Sequence, residues 1–145
     1  MEKQLYGYLK LEQQLLEEML RLADKQQLAL INYRISELTE ITSFQNALII
    51  NIRNAEEKRI ALLMQWLDIT RREAMELKLS TLEEKIEDED VCTEIKKMRK
   101  DLRQMIDKLQ NMNAVNRLLS NRARTNIKEM MDFITGGKEL VNQKL

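Results

Sequence analysis

Few side chains in this sequence are of the types that perform catalysis. Glu73 and Glu76 stand three residues apart, which brings two carboxylates to one face of a helix. Such a pair could bind iron in a helical bundle, but a di-iron site also needs Glu-x-x-His ligands, and the sequence has no histidine. We therefore expect surface carboxylates here and no metal site.

The remaining reactive groups are isolated from one another. Cys92 is the only cysteine, and without a histidine base it forms no nucleophile pair. Gly7 has no other glycine near it, so the chain lacks a glycine-rich loop that could bind a phosphate. The sequence predicts a protein that is not an enzyme and that binds no cofactor.

The compartment follows from the same cysteine and from the apolar segments. Cys92 has no partner for an intramolecular disulfide, which fits a reducing cytosol. Residues 1–5 lack the basic-then-apolar layout of a signal peptide. No apolar run approaches the roughly 18–20 residues that cross a bilayer. We expect a cytoplasmic protein without stable membrane insertion.

The composition favours long helices joined by few turns. The 145 residues include no proline and three glycines, two of them adjacent at Gly136 and Gly137. Proline and glycine mark turns, so the chain has few places to reverse direction. The sequence predicts an all-α fold, an antiparallel bundle or coiled coil of three long helices with one short connecting helix. Residues 1–137 form one domain in this interpretation, and residues 138–145 form a flexible tail.

The first two long helices are predicted from apolar residues that repeat every seven positions. The first stripe contains Leu9, Leu16, Ala23 and Leu30. A break follows at residues 32–36, where Asn32 or Ser36 is expected to cap the next helix. The second stripe contains Ile41, Leu48, Ala55, Leu62 and Ile69. Two companion positions are polar, Gln45 and Arg59, and polar residues on such a seam fix the register of the helices.

The third long helix has the most regular pattern. Ser80 and Glu83 match a capping box for the short helix before it, and acidic residues 87–90 suit the start of the long one. Its seam repeats over about six heptads and is expected to end at Gly136-Gly137. A helix of about 45 residues is on the order of 65 Å long. Since a compact chain of this size cannot bury such a helix, part of its seam must meet a partner or solvent.

The net charge of zero hides a gradient along the chain. Residues 1–90 carry 18 acids and 12 bases, whereas residues 91–128 carry three acids and ten bases. A basic stretch could contact nucleic acid, but no aromatic residue is interleaved for base stacking. We favour a solvated face that lies against an acidic neighbouring helix, and we expect no nucleic-acid partner.

The C-terminal part of the third helix is the best candidate for binding. Methionine is frequent on its seam, and this flexible side chain suits surfaces that adapt to a partner. Asparagines enter after Met112, while the seam stays apolar as far as Ile134. The first helix is too short to reach all of this segment. Binding of a partner and simple burial both remain open from these residues alone.

Several short segments resemble the FlgN family of flagellar export chaperones. The first helix ends in Ala29-Leu30, the second opens with Ser-Glu-Leu-Thr-Glu at residues 36–40, and Glu-Glu-Lys-Arg follows at residues 56–59. The connection at residues 79–82 reads Leu-Ser-Thr-Leu. Residues 109–119 read Leu-Gln-Asn-Met-Asn-Ala-Val-Asn-Arg-Leu-Leu, similar to the family's Leu-x-x-x-Asn-x-x-Asn-x-x-Leu stretch. The resemblance covers nearly the whole chain.

The resemblance implies a monomeric or weakly dimeric cytoplasmic chaperone of hook–filament junction proteins, which it keeps unassembled before type III export. It places partner binding on the third helix, at Met105, Leu109, Met112, Asn116, Leu119, Ile127, Met130, Phe133 and Ile134. Family members also dock on the export gate through a C-terminal segment that often carries a tyrosine. This chain has no tyrosine after Tyr33, so no gate-docking residue is assigned.

Two other functions are compatible with the sequence. The same heptads could pair with a second copy, which would make a self-associating structural scaffold or adaptor. A peripheral membrane or nucleic-acid binder that uses the basic stretch would show strong salt dependence. Acids close by in the sequence make this last alternative the weakest.

Overall fold

The computed structural model describes residues 1–136, which contain five helices and no strand. In order they are α1 (Glu2–Ile31), α2 (Ile35–Leu67), α3 (Arg71–Glu76), α4 (Leu79–Glu83) and α5 (Glu89–Thr135). The prediction of an all-α fold is confirmed. Two short helices, α3 and α4, connect the long ones, where the sequence predicted a single short helix. The predicted tail, residues 138–145, lies outside the described residues.

A three-residue turn joins α1 to α2 and reverses the chain. Asn32 ends α1, and its side-chain nitrogen donates a hydrogen bond to the Leu28 carbonyl at 2.9 Å. Tyr33 takes the left-handed conformation (φ 52°), and the Arg34 amide bonds back to the Ala29 carbonyl. Neither predicted cap is formed, since Asn32 closes α1 and Ser36 lies inside α2. The tight turn needed no glycine or proline.

The two polar seam positions of α2 pair with polar residues of α1. Arg59 donates to the Glu12 carboxylate at 2.9 Å, and Gln45 donates to the Gln26 side-chain oxygen at 3.0 Å. From the Arg59–Glu12 pair to the Gln45–Gln26 pair, the α1 residue lies 14 positions later in the sequence and the α2 residue lies 14 positions earlier. The two helices are therefore antiparallel, and both polar residues are satisfied within the seam.

α5 also packs on α1 and runs in the same direction as α1. At its start, the Glu2 carboxylate accepts hydrogen bonds from the Glu87 and Asp88 amides at 2.8 and 3.2 Å. Further along, Asn126 donates to the Tyr33 hydroxyl at 3.0 Å, beside the α1–α2 turn. α1 is thus the central helix, which contacts both α2 and α5 along its length.

The apolar core is unevenly divided between the two ends of the bundle. We call the end that holds α3 and α4 the closed end, and the end at the α1–α2 turn the hairpin end. The closed end contains the fully buried Leu5, Ile60, Leu63 and Ile95, and Leu82 of α4 covers them. A smaller cluster near the hairpin end comes from α1 and α2 alone: Leu22, Ala29, Ile41 and Leu48. Most of the described apolar core therefore lies at the closed end.

An ion pair fastens α3 to α2 at the surface of the closed end. Arg71 donates two hydrogen bonds, at 2.8 and 2.5 Å, to the Glu57 carboxylate, and these lower the pKa of Glu57 below its ordinary value. A lowered folded-state pKa means that the pair stabilises the fold above the ordinary carboxyl pKa and is lost as the pH falls through the lowered value. Both side chains are about half exposed, so water screens the pair and its contribution is small.

The Asp88 side chain caps the start of α5, within the acidic run that was predicted to suit it. Its carboxylate accepts hydrogen bonds from the Asp90 and Val91 amides at 3.0 and 3.3 Å. The capping box predicted at Ser80 is wrong, because α4 begins at Leu79 and contains Ser80. The sequence missed a second cap at Thr70, whose hydroxyl accepts from the Glu73 amide and starts α3.

Because Asp88 caps a helix and Ser80 does not, replacing the two residues is expected to change the free energy of unfolding by different amounts. Asp88→Ala is expected to lower the free energy of unfolding by about 1 kcal/mol, since it leaves amides at the start of α5 without a partner. Ser80→Ala is the matched control and is expected to change it by less than about 0.5 kcal/mol. Urea denaturation followed by circular dichroism measures both. Equal losses for the two variants would contradict the assignment of the cap.

Candidate partner-binding surface

The structure divides the nine predicted partner-binding residues into three groups by exposure. Asn116 is buried, at 3% exposure. Five residues are half-buried on the side of α5 that faces α1: Met105, Leu109, Met112, Leu119 and Ile127. The last three are exposed to 61%, 88% and 72%, in the order Met130, Phe133 and Ile134. The predicted face is therefore covered along most of its length and open at its C-terminal end.

The open end exists because α5 is longer than the helices beside it. α1 stops at Ile31, and Asn126 already lies beside the turn at Tyr33. The last nine residues of α5, 127–135, therefore extend about 13 Å beyond the turn. We call this segment the α5 overhang. Ile134 lies five helical turns after Asn116, so it continues the face that meets α1 further back.

The end of α5 is defined by a glycine, as the sequence predicted. Gly136 takes the left-handed conformation (φ 68°), and its amide donates to the Asp132 carbonyl. An L-residue rarely adopts this conformation, and glycine does so without steric cost. The C-terminal limit of the overhang is thus encoded in the sequence by one residue.

The hairpin end carries further exposed apolar residues beside the overhang. Ile31, Tyr33 and Ile35 are exposed to 54%, 53% and 66%. These three residues were not among the predicted partner-binding residues, although apolar side chains at a helix break without glycine or proline are a visible signal in the sequence. Together with the overhang they make one end of the molecule apolar, which is typical of interaction sites.

Asn116 links three helices at the middle of the bundle. Its side-chain nitrogen donates to the Ala23 carbonyl at 2.9 Å and to the Gln26 oxygen at 3.4 Å, and Gln26 also accepts from Gln45. The Asn116 side-chain oxygen is buried and has no hydrogen-bond partner among residues 1–136. The amide nitrogen thus fastens α5 to α1 at the middle of the bundle.

The basic stretch of α5 is less neutralised than expected. Arg99 donates to the Glu83 carboxylate at 2.5 Å, and Glu83 is buried on the short helix α4. Within the described part of the chain, no other base of residues 91–128 forms an ion pair. The prediction that these bases lie against an acidic neighbour is therefore correct for Arg99. The other bases of residues 91–128 form no ion pair within residues 1–136.

Among residues 1–136, no group of three or more potential metal-binding side chains comes together. No helix in this range has the length and hydropathy that a bilayer crossing needs. Cys92 is half-buried, and its thiol lies 3.6 Å from the Glu83 carbonyl.

Comparison with known proteins identifies the family. The family model described as FlgN protein matches residues 1–143. No curated protein and no solved structure matches the chain. The match spans all five helices, including the α5 overhang, and agrees with the resemblance seen in the motifs of the sequence. The chain belongs to the FlgN family of flagellar export chaperones.

Proposed function

We propose that this protein is a cytoplasmic chaperone that binds hook–filament junction proteins through the α5 overhang and keeps them from assembling before export. Family membership supports the role of an export chaperone. The observation that carries the binding site is the exposure of Met130, Phe133 and Ile134 on a helix whose preceding seam is covered. These three side chains have no structural task in the described chain.

The chemistry of the overhang suits a helical partner. Four of its five apolar residues occupy positions 127, 130, 131 and 134, the spacing with which one helix packs against another, and Phe133 lies at the edge of this stripe. Methionines at two of these positions adapt to different partner surfaces. A junction protein whose end forms a coiled coil would present a matching stripe and would be kept from its own assembly partners while bound.

The nine residues then have two roles in this proposal. Ile127, Met130, Phe133 and Ile134 contact the partner. Met105, Leu109, Met112 and Leu119 are half-buried, and we propose that they hold α5 against α1. Asn116 is buried and joins the three long helices, so it positions α5 instead of contacting the partner through its nitrogen.

A self-associating scaffold is the alternative that the same surface would serve. Two copies could bury their overhangs against each other, because exposed heptad positions pair equally well with themselves. A chaperone needs a different protein as its partner, whereas a scaffold pairs with a second copy of the same chain. We propose a monomer or weak homodimer in the absence of a junction protein.

Calorimetric titration of the full chain with each hook–filament junction protein of the same organism, at about 150 mM salt, tests the proposal. We expect one junction protein to bind with a micromolar or lower dissociation constant and to elute together with the chain. Absence of heat and of co-elution with every junction protein would refute the chaperone function. A tight dimer found by sedimentation in that case would support the scaffold.

A further inference from the structure

α2 and α5 both pack on α1 but leave a groove between them. No Cα atom of α2 lies within 8 Å of a Cα atom of α5 over the described residues. Directly packed helices have axes about 8–10 Å apart and many closer backbone approaches. α1 therefore forms the floor of the groove, and α2 and α5 form its two walls.

The groove continues along most of α1. It begins over Leu9 and Glu12, passes Met19 and Gln26, and ends over Leu30. From Leu9 to Leu30 this is about 32 Å, the length of a helix of about 20 residues. The hairpin end of the groove is lined mostly by apolar side chains, the middle largely by amides, and the closed end by four apolar side chains together with three arginines and Glu12. Its floor and walls thus offer what an amphipathic helix would bury.

The charges around the groove have one predominant sign. Five arginines line it, Arg59, Arg99, Arg103, Arg117 and Arg124, against a single carboxylate, that of Glu12. Glu12 is already paired with Arg59, and Arg99 with Glu83. Arg103, Arg117 and Arg124 form no ion pair within residues 1–136. An occupant with acidic side chains would neutralise the α5 wall.

We propose that the groove between α2 and α5 binds an acidic amphipathic helix of the export substrate as a fourth helix along α1. That the partner is an export substrate rests on the proposed function. That it is an acidic amphipathic helix rests on the residues that line the groove. Nucleic acid is disfavoured as the occupant, because the hairpin end of the groove is mostly apolar and Tyr33 is the sole aromatic residue of the lining.

Two synthetic helical peptides of about 20 residues test the chemistry of the occupant with the full chain. Both have leucines at heptad positions, and the flanking positions are glutamate in one peptide and lysine in the other. We expect the glutamate peptide to bind at least about tenfold more tightly by fluorescence anisotropy. Equal binding of the two peptides, or binding of neither, would overturn the proposal.

Charge reversal on α5 locates the site. Arg117→Glu and Arg124→Glu are each expected to weaken binding of the glutamate peptide by about tenfold, and the double variant is expected to prefer the lysine peptide. Arg122→Glu is the matched control, since Arg122 is an exposed arginine of the same helix outside the groove lining. We expect its affinity to stay within about twofold of wild type. An equal loss for Arg122→Glu would overturn the site.

Other occupants give distinct results. An oligothymidine that binds more tightly than the glutamate peptide, with the same dependence on Arg117, would make the groove a nucleic-acid site. A dimer that Arg117→Glu dissociates would make a second copy the occupant. If a junction protein binds but Arg117→Glu and Arg124→Glu leave its affinity unchanged, the groove proposal is refuted and the proposed chaperone function is still supported. If the chain binds the glutamate peptide selectively but binds no junction protein, the groove proposal is supported and the chaperone function is refuted.

Discussion

Replacing both Phe133 and Ile134 with aspartate is expected to weaken binding of a junction protein by at least about 100-fold. The two side chains are 88% and 72% exposed and would become buried in the complex. Truncating a central apolar contact of an interface costs about 2 kcal/mol or more, and burying a carboxylate in its place adds a desolvation cost. Calorimetric titration of the variant against the same junction protein measures the loss.

The free variant should remain as stable as the wild type, because neither side chain packs against the rest of the described chain. Helicity and the urea midpoint are expected to be unchanged, which separates lost binding from misfolding. Leu118→Asp is the matched control: Leu118 is 69% exposed on the same helix but points about 160° away from Ile134. A loss for Leu118→Asp as large as that for the double variant, or normal binding by the double variant, would place the site elsewhere.

Ile95→Ala is expected to lower the free energy of unfolding by about 2–5 kcal/mol. Ile95 is fully buried at the closed end, where it joins Leu5 and Leu63 in the main apolar core. The loss combines the transfer free energy of the removed atoms with the cavity that they leave. Since domains are stable by only about 5–15 kcal/mol, this single change removes a large fraction of the total.

Ile134→Ala provides the control for this prediction, because it makes the same chemical change on the same helix at 72% exposure. We expect it to alter stability by less than about 0.5 kcal/mol. Urea denaturation of both variants gives the difference. Similar losses at the two positions would mean that the α5 overhang is packed in solution, which would contradict both the fold and the proposed binding site.

The sequence was sufficient to predict the long helices but not how they are offset. Sevenfold spacing predicted α1, α2 and α5, and Gly136 predicted the end of α5, because both signals are local. The cap at Asp88 lay among four consecutive acids, any of which could have capped the helix. The partners of Gln45 and Arg59 could not be named, since side chains on another helix are matched only once the register is known.

The same limit applies to the binding surfaces. The exposure of Phe133 depends on Asn126 lying beside Tyr33, which is a statement about the offset of α5 along α1. The sequence predicted that α1 would be too short to cover the whole apolar seam of α5. The offset shows at which residue of α5 the contact with α1 ends. The groove depends on the distance between α2 and α5, and no pattern within either helix encodes it.

The uneven core has a mechanical consequence. Beyond Leu102, the only buried side chain of α5 is that of Asn116, so the second half of the helix is held to α1 by half-buried contacts and a few hydrogen bonds. The first half is fixed at the closed end by Ile95, Met98 and Leu102. We therefore expect the far end of α5 to move more than its start: a tilt of about 3° at Ile95 shifts Thr135, about 60 Å away, by roughly 3 Å. We also expect the distance between α2 and α5 to change more readily at the hairpin end than at the closed end, so that the proposed groove accepts helices with side chains of different sizes.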